Sequence, residues 1–344
     1  MDTPRPPLRI GVLGAARIAP RAVIDPARVT GHRVVAVAAR DPERARAFAD
    51  VHGIERVHQR YADLVDDPEI DVVYNALHNA GHAPWNIMAL EAGKHVLSEK
   101  PSASNSVEAA EVVRATEASG KVFLEGFHYL YHPAIQRVLE LARGGNLGSL
   151  VEVTSSLVTA PPPPDDLRWS FELAGGSLMD LGCYSLHVQR MAGLAATGDE
   201  PTVVGATARA RPDGVDAAMD VALQHADGAQ GTASGDFEAA GYAASLVVRG
   251  TDASVEVPSF VAPGRDDRVV ITEDGRRRTE HHGSLSTFTY QLIAMADAIQ
   301  LGTPLPIDAA DALIQAQAID RAYELAGLPL RPSRALDHGK SGHR

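Results

Sequence analysis

The sequence predicts an α/β protein: a doubly wound parallel sheet, then an α+β unit built on a mostly antiparallel sheet with helices on one face. Two observations carry this. Up to about residue 126, short apolar runs alternate with helix-length segments, which implies parallel strands joined by crossover helices. Beyond it, longer β-rich runs succeed one another across turn sequences such as Pro212-Asp213-Gly214, Ala226-Asp227-Gly228 and Glu273-Asp274-Gly275.

Leu8–Leu13 is an apolar run of strand length, and Arg33–Ala38 is a second. Pro42–His52 reads as a helix, with Asp41 as cap, Pro42 in the first turn and Gly53 as stop. Ile70–Ala76, His95–Ser98 and Val122–Leu124 read as further strands. Pro84–Ala92 and Ser106–Ser119 are the helices between them, stopped by Gly93 and Gly120. In the second unit Ala134–Arg143 reads as a helix ended by Gly144-Gly145. The strand runs are Leu150–Val158, Thr202–Arg211, Ala218–His225, Gln230–Phe237, Ala243–Val248 and Val269–Ile271. Two amphipathic helices, Thr287–Gln300 and Ala309–Ala326, flank the turn Gly302-Thr303-Pro304. Pro161–Pro164 favours a stiff polyproline II loop. The expected units are residues 1–126 and 127–333, with a polar, disordered tail over 334–344.

The 344 residues suffice for two cores, and 45% hydrophobic content is ordinary for a globular chain. No apolar run reaches the roughly 18–20 residues a membrane span needs. Met1–Pro7 has no secretory apolar stretch, and the single cysteine, Cys183, forms no intramolecular disulfide; both fit a cytoplasmic protein. A net charge of −12 argues against general nucleic-acid binding, which needs a basic face.

Gly14-Ala15-Ala16-Arg17-Ile18-Ala19 follows the first strand and opens a helix. It stands where a dinucleotide fingerprint G-x-G-x-x-G would stand, with alanine at the second and third glycines. Gly14, Ala15, Ala16, Arg17 and Ile18 are therefore candidate cofactor contacts. At the end of the second strand an NAD site usually carries an acidic residue for the ribose. Here the sequence is Ala38-Ala39-Arg40-Asp41, and Asp41 is better placed as a helix cap. Arg40 can fork onto a 2′-phosphate, and Arg44, one turn into the helix, adds a second cation. NADP is favoured over NAD. Glu99-Lys100-Pro101 closes the strand His95–Ser98, and a lysine at the carboxyl end of a parallel strand faces the ligand crevice.

Five motifs in order resemble a known family: the Gly14 turn, Asn79-Ala80-Gly81-His82, Glu99-Lys100-Pro101, Glu125-Gly126-Phe127 and Gly175-Gly176-Ser177-Leu178-Met179-Asp180-Leu181-Gly182-Cys183-Tyr184. The chain resembles the glucose–fructose oxidoreductase/inositol dehydrogenase (Gfo/Idh/MocA) family over Leu8 to about Pro332. Within it, the resemblance is to the branch of dimeric dihydrodiol dehydrogenase and NADP-dependent xylose dehydrogenase. It implies a Rossmann domain followed by an open-faced sheet domain that often mediates dimers or tetramers. It also implies hydride transfer between NAD(P) and a carbinol or carbonyl carbon of a sugar, polyol or diol. By the resemblance Lys100 is the catalytic lysine, Asp180 and Tyr184 the downstream pair, and Asn79, His82 and Glu99 cofactor-side residues. His78 replaces a usual proline, and Ala39 a frequent serine beside Arg40.

The chemistry asks for such residues. Oxidising an alcohol leaves a proton to be removed, and a free phenol, with a pKa of about 10, is a poor base at neutral pH. A neighbouring ammonium lowers that pKa, so Lys100 is expected to tune Tyr184 and orient the hydroxyl. Asp180, four residues before Tyr184, shares its face if the segment is helical, and holds a substrate hydroxyl or the lysine; a helix cap is its alternative role. Arg168 and His128 are candidate substrate contacts. His78/His82 and His128/His132 have i, i+4 spacing but lie in no metalloprotease-type motif, so no metal is expected. Two other readings stay open on this pattern: an NAD-assisted glycosidase or lyase, and a non-catalytic NADP-binding regulator.

Overall fold

The computed structural model describes residues 5–334. The tail expected over 334–344 therefore lies, save Arg334, outside the described residues. Fourteen strands form two sheets among them. The first holds β1 (Arg9–Leu13), β2 (Arg33–Ala38), β3 (Arg56–His58), β4 (Val72–Asn75), β5 (His95–Ser98) and β6 (Phe123–Glu125) in the order β3-β2-β1-β4-β5-β6. Every pairing is parallel. The strand order reverses between β1 and β4, and a crevice opens there at the carboxyl ends of the strands.

The helices of this half are α1 (Asp25–Thr30), α2 (Pro42–His52), α3 (Tyr61–Val65), α4 (His82–Glu91) and α5 (Ser106–Ser119). Asp41 caps α2 by accepting from the Glu43 and Arg44 amides, as its sequence position suggests. The helix after β1 differs from a plain α-helix: it starts with a π-helical turn, Pro20–Ile24.

The second sheet holds β7 (Leu150–Val158), β8 (Thr202–Ala210), β9 (Asp216–Gln224), β10 (Gln230–Asp236), β11 (Ala243–Gly250), β12 (Ala253–Val257), β13 (Arg268–Glu273) and β14 (Arg276–His281). Its order is β14-β13-β12-β11-β7-β10-β9-β8. Only β7 and β10 pair parallel; the other pairings are antiparallel. Along β10 and β11 buried residues alternate with less buried ones, so one face is covered and the other open. α7 (Cys183–Thr197) lies on the covered face against β7 and β10, with α6 (Pro133–Arg143) beside it.

The last two helices, α8 (Thr287–Leu301) and α9 (Ala309–Leu325), do not serve the second sheet alone. α8 packs on α1, and α9 packs on α5 as well as on α7 and β8. Ala309, Ala312 and Ala316 of α9 belong to a core shared with β2, β4 and β5. These small side chains let α9 sit close to α5, so the end of the chain returns to the first sheet and locks the halves together.

Candidate active site

The crevice begins at Gly14. Its φ of +94° suits a residue without a Cβ, and a Cβ there would come within 3.1 Å of the Ala76 carbonyl. The Gly14 amide donates to Ala38 O at 2.8 Å, which fixes the turn to β2. Arg44 donates from Nη2 to Ala15 O at 2.8 Å, so part of its guanidinium braces the turn. Arg40 is exposed at the end of β2 and makes no ion pair among the described residues. Ala15 is buried, Ala16 and Ile18 are partly buried, and the Arg17 side chain is 89% exposed.

The Asn79–His82 motif makes hydrogen bonds within the protein. Asn79 Nδ2 donates to Ala174 O at 2.8 Å, tying the first half to the second. His82 is buried, with Nδ1 2.7 Å from Pro101 O and Nε2 2.9 Å from Leu77 O. Burial pushes its pKa down to about 4, so the ring is neutral and only one of these contacts carries a proton. With both nitrogens faced by carbonyls, His82 braces the loop that carries Lys100. Glu99 likewise turns inward: Tyr74 donates its hydroxyl to Glu99 Oε1 at 2.7 Å, and burial raises the Glu99 pKa.

Lys100 extends from the end of β5, next to a cis peptide bond to Pro101. Its Nζ donates to the Asp180 carbonyl at 2.7 Å and lies 3.4 Å from Asp180 Oδ1. Burial acts to lower its pKa, but Asp180, then Cys183 and Glu99, outweigh that and hold it above the usual lysine value. The ammonium is thus a fixed cation.

Asp180 sits in a π-helical turn, Leu178–Gly182, that runs into α7. It makes no cap bond; Ser177 precedes the turn, so the cap role does not hold. The turn rests on β10 at Gly235, where a Cβ would come within 2.6 Å of the Gly182 nitrogen. Arg168 Nη1 lies 3.6 Å from Asp180 Oδ2, and Arg168 is itself held by Asp166 at 2.8 Å. Arg168 is therefore at the site, joined through Asp180 to Lys100.

Tyr184 completes the cluster, but not by the route its spacing suggests. Lys100 Nζ lies 4.8 Å from the centroid of its ring. The phenol oxygen instead meets His128 Nε2 at 3.0 Å. Burial, with Glu99, Cys183 and Asp180 adding to it, raises the Tyr184 pKa well above the ordinary phenol value. The expected lowering of its pKa is overturned: removal from water dominates. The His128 ring has Nδ1 2.8 Å from Thr287 Oγ1, so both its nitrogens are engaged within the protein.

Sequence reading does not single out the clamp behind this cluster. Asp216 and Arg331 form an ion pair at 2.6 Å, with both side chains 0% exposed. Asp216 Oδ2 also accepts from Ser177 Oγ and the Leu178 amide, and Arg331 Nε donates to Gly175 O. The Asp180 turn is thus held from both sides. Asn105 Nδ2 donates to Arg331 O at 2.8 Å, linking this clamp to the cap of α5. These partners are separated by up to 226 positions, and no local pattern announces them.

Cys183 is buried, and burial pushes its thiol up to about 12, which disqualifies it as a nucleophile at neutral pH. His132 caps α6 through the Ala134 amide. Among the described residues no three His, Cys, Asp or Glu side chains are grouped to hold a metal, and no helix is long and apolar enough to cross a membrane.

Known proteins resemble the chain over nearly all of this frame. A family model described as an oxidoreductase family with an NAD-binding Rossmann fold matches residues 8–127, and a GFO/IDH/MocA C-terminal domain matches 135–256. D-xylose 1-dehydrogenase (NADP(+)) 2 of Haloferax volcanii is 33% identical over 322 residues, spanning 93% of this chain and 97% of the relative. Trans-1,2-dihydrobenzene-1,2-diol dehydrogenase of Xenopus laevis is 31% identical over 234 residues, 67% of this chain and 68% of the relative. KijD10, a 3-ketoreductase from Actinomadura kijaniata crystallised with NADP and TDP-benzene, superposes with a TM-score of 0.84 at 28% identity, covering 93% of this chain and 98% of its own.

Proposed function

The chain belongs to the Gfo/Idh/MocA oxidoreductase family, and from that premise we propose an NADP-dependent dehydrogenase or reductase acting on a carbinol or carbonyl carbon of a sugar, polyol or trans-diol. The observation that carries the reading is the meeting of Lys100, Asp180 and Tyr184, from β5, the π-helical turn and α7, at one end of the parallel sheet.

The residues present fit the dinucleotide. Gly14, at a φ of +94° and close against the Ala76 carbonyl, makes the tight turn after β1 at the strand-order reversal where such ligands bind. Arg40, exposed and unpaired among the described residues, suits a 2′-phosphate. Arg44 is partly committed to Ala15 O and plays the lesser part. When bound, the nicotinamide supplies the hydride acceptor or donor.

The chain's own groups do the rest. The Lys100 ammonium, fixed by Asp180, holds the reacting oxygen and stabilises the charge that develops on it. Tyr184 exchanges the proton of that oxygen. Arg168, alongside Asp180, steadies the carboxylate and lines the substrate side. The open face of the second sheet is the surface for a homodimer or homotetramer.

The test is formation of reduced nicotinamide, read by its absorbance, with a panel of pyranoses, inositols and trans-diols under NADP and NAD. Turnover with one class, faster with NADP, is expected. Hydrolysis of an aryl glycoside without net reduction would overturn the reading in favour of a cofactor-assisted glycosidase.

A further inference from the structure

We propose that His128 accepts the proton that Tyr184 releases, and that Thr287 hands it on towards the exposed segment Gly283–Ser286. The inference rests on the oxidoreductase reading and adds two residues to it.

Tyr184 needs somewhere to send its proton. Among the described residues the one hydrogen-bonding partner of its hydroxyl is His128 Nε2, at 3.0 Å. Asp180 is turned to Lys100 and Arg168, and Lys100 lies at the ring face. The other ring nitrogen of His128 meets Thr287 Oγ1 at 2.8 Å. Phe288 packs on the imidazole with ring centroids 3.8 Å apart and holds its plane. Thr287 is the first residue of α8, and the four residues before it, Gly283 to Ser286, are all exposed. Tyr184, His128 and Thr287 thus form a hydrogen-bonded chain from the buried phenol to the start of α8, where Thr287, itself 4% exposed, adjoins the exposed segment.

Protonation states follow from the surroundings. Burial, then the cations Arg21 and Lys100, keep His128 neutral, so it carries one N–H. The neutral phenol donates to Nε2, which places that N–H on Nδ1, donating to Thr287 Oγ1.

In oxidation the carbinol C–H bond breaks and its hydrogen leaves as hydride for the oxidised nicotinamide dinucleotide. The carbinol O–H proton passes to the Tyr184 oxygen as the Tyr184 proton passes to Nε2. The carbon–oxygen bond becomes a carbonyl, and the imidazolium holds one added proton. Arg21 and Lys100 disfavour that cation, so the Nδ1 proton moves on through Thr287 to solvent. Reduction runs the same transfers backwards.

The first measurement needs no substrate: nitrogen NMR of the His128 ring in ligand-free protein. Unprotonated Nε2, with a shift that changes in Tyr184→Phe, is expected; a proton on Nε2 overturns the assignment. The second is turnover. His128→Phe is expected to lower kcat by about 100-fold, the low end of general acid–base effects, with NADP affinity unchanged. Added imidazole is expected to restore part of the activity of His128→Ala. Thr287→Val, close in shape, should lower kcat and enlarge the solvent isotope effect. His128→Phe with wild-type kcat overturns the relay while leaving the oxidoreductase reading intact. A wild-type protein inactive on every substrate counts against that reading, and the NMR result still decides the hydrogen bond.

Discussion

The Lys100 ammonium lies over the face of the Tyr184 ring, 4.8 Å from its centroid, and not at its hydroxyl. This separates two roles that sequence reasoning merges. The cation does not convert the phenol to a phenolate; burial keeps it protonated. In the proposed reaction Lys100 acts on the substrate oxygen, while Tyr184 needs an acceptor of its own. Asp180 fixes Lys100 through its carbonyl as well as its carboxylate.

Lys100→Met keeps the length of the side chain and removes the charge. Turnover is expected to fall by about 100–1,000-fold, the range for removing one preorganised donor. NADP affinity, followed by fluorescence titration, should change little. Wild-type turnover would remove Lys100 from the reaction.

The Asp216–Arg331 pair predicts a stability effect felt at a distance. Asp216→Asn leaves a guanidinium with no exposed surface beside a neutral amide. The cost is about 3–5 kcal/mol, as for other broken buried pairs. Urea unfolding measures it. Because Asp216 also holds Ser177 and the Leu178 amide, residual folded protein should turn over more slowly than wild type. A shift below about 1 kcal/mol would show that the clamp is dispensable.

Glu125 predicts the pH dependence of stability. Its carboxylate accepts from the Ser102 amide at 2.6 Å, while Oε2 is buried without a partner. Burial pushes its pKa up to about 7 from an ordinary 4.5, against the pull of the Ser102 amide. A raised carboxyl pKa means that the folded chain holds the extra proton between pH 4.5 and 7. The Glu125 contribution to stability therefore falls as pH rises through that window, by roughly 3 kcal/mol in all, and is flat above it. Glu125→Gln keeps an oxygen for Ser102 and abolishes the titration. Measured by unfolding from pH 5 to pH 8, wild type should lose stability relative to the variant, whatever the buried histidines add to both; a wild-type/variant difference that does not change with pH would refute the assignment.

Arg40→Ala should weaken NADP binding by about tenfold or more, equivalent to about 1.4 kcal/mol, and leave NAD binding almost unchanged. Calorimetry with both dinucleotides checks this. Parallel losses for the two would mean that Arg40 meets the shared part of the cofactor.

What the sequence revealed follows from what is local in it. The strands β1, β2, β4 and β5 are compact apolar runs bounded by Gly, Pro and caps, and they stand within a residue or two of where the runs place them. Arg276–His281 has no apolar alternation, so β14 leaves no strand signal in the sequence; it is a charged edge strand, a composition that disfavours edge-to-edge pairing. α7 is visible in the sequence only at its start, through the Asp180–Tyr184 spacing, because it is buried nearly all round and carries His187, Gln189 and Arg190 inside, so no one-sided stripe shows. Lys100, Asp180 and Tyr184, which the family resemblance picks out, meet in the structure. The roles of His82 and His128 were not legible, since each is set by partners the fold brings in from elsewhere: Pro101 for one, Tyr184 and Thr287 for the other.

The most direct test of the central claim compares wild type with Tyr184→Phe in the reduced-nicotinamide assay, with NADP and the substrate that turns over fastest. A loss of about 100–10,000-fold in kcat with unchanged NADP affinity is expected for removal of the proton-exchanging group. A Tyr184→Phe variant that keeps most of its turnover would contradict the account.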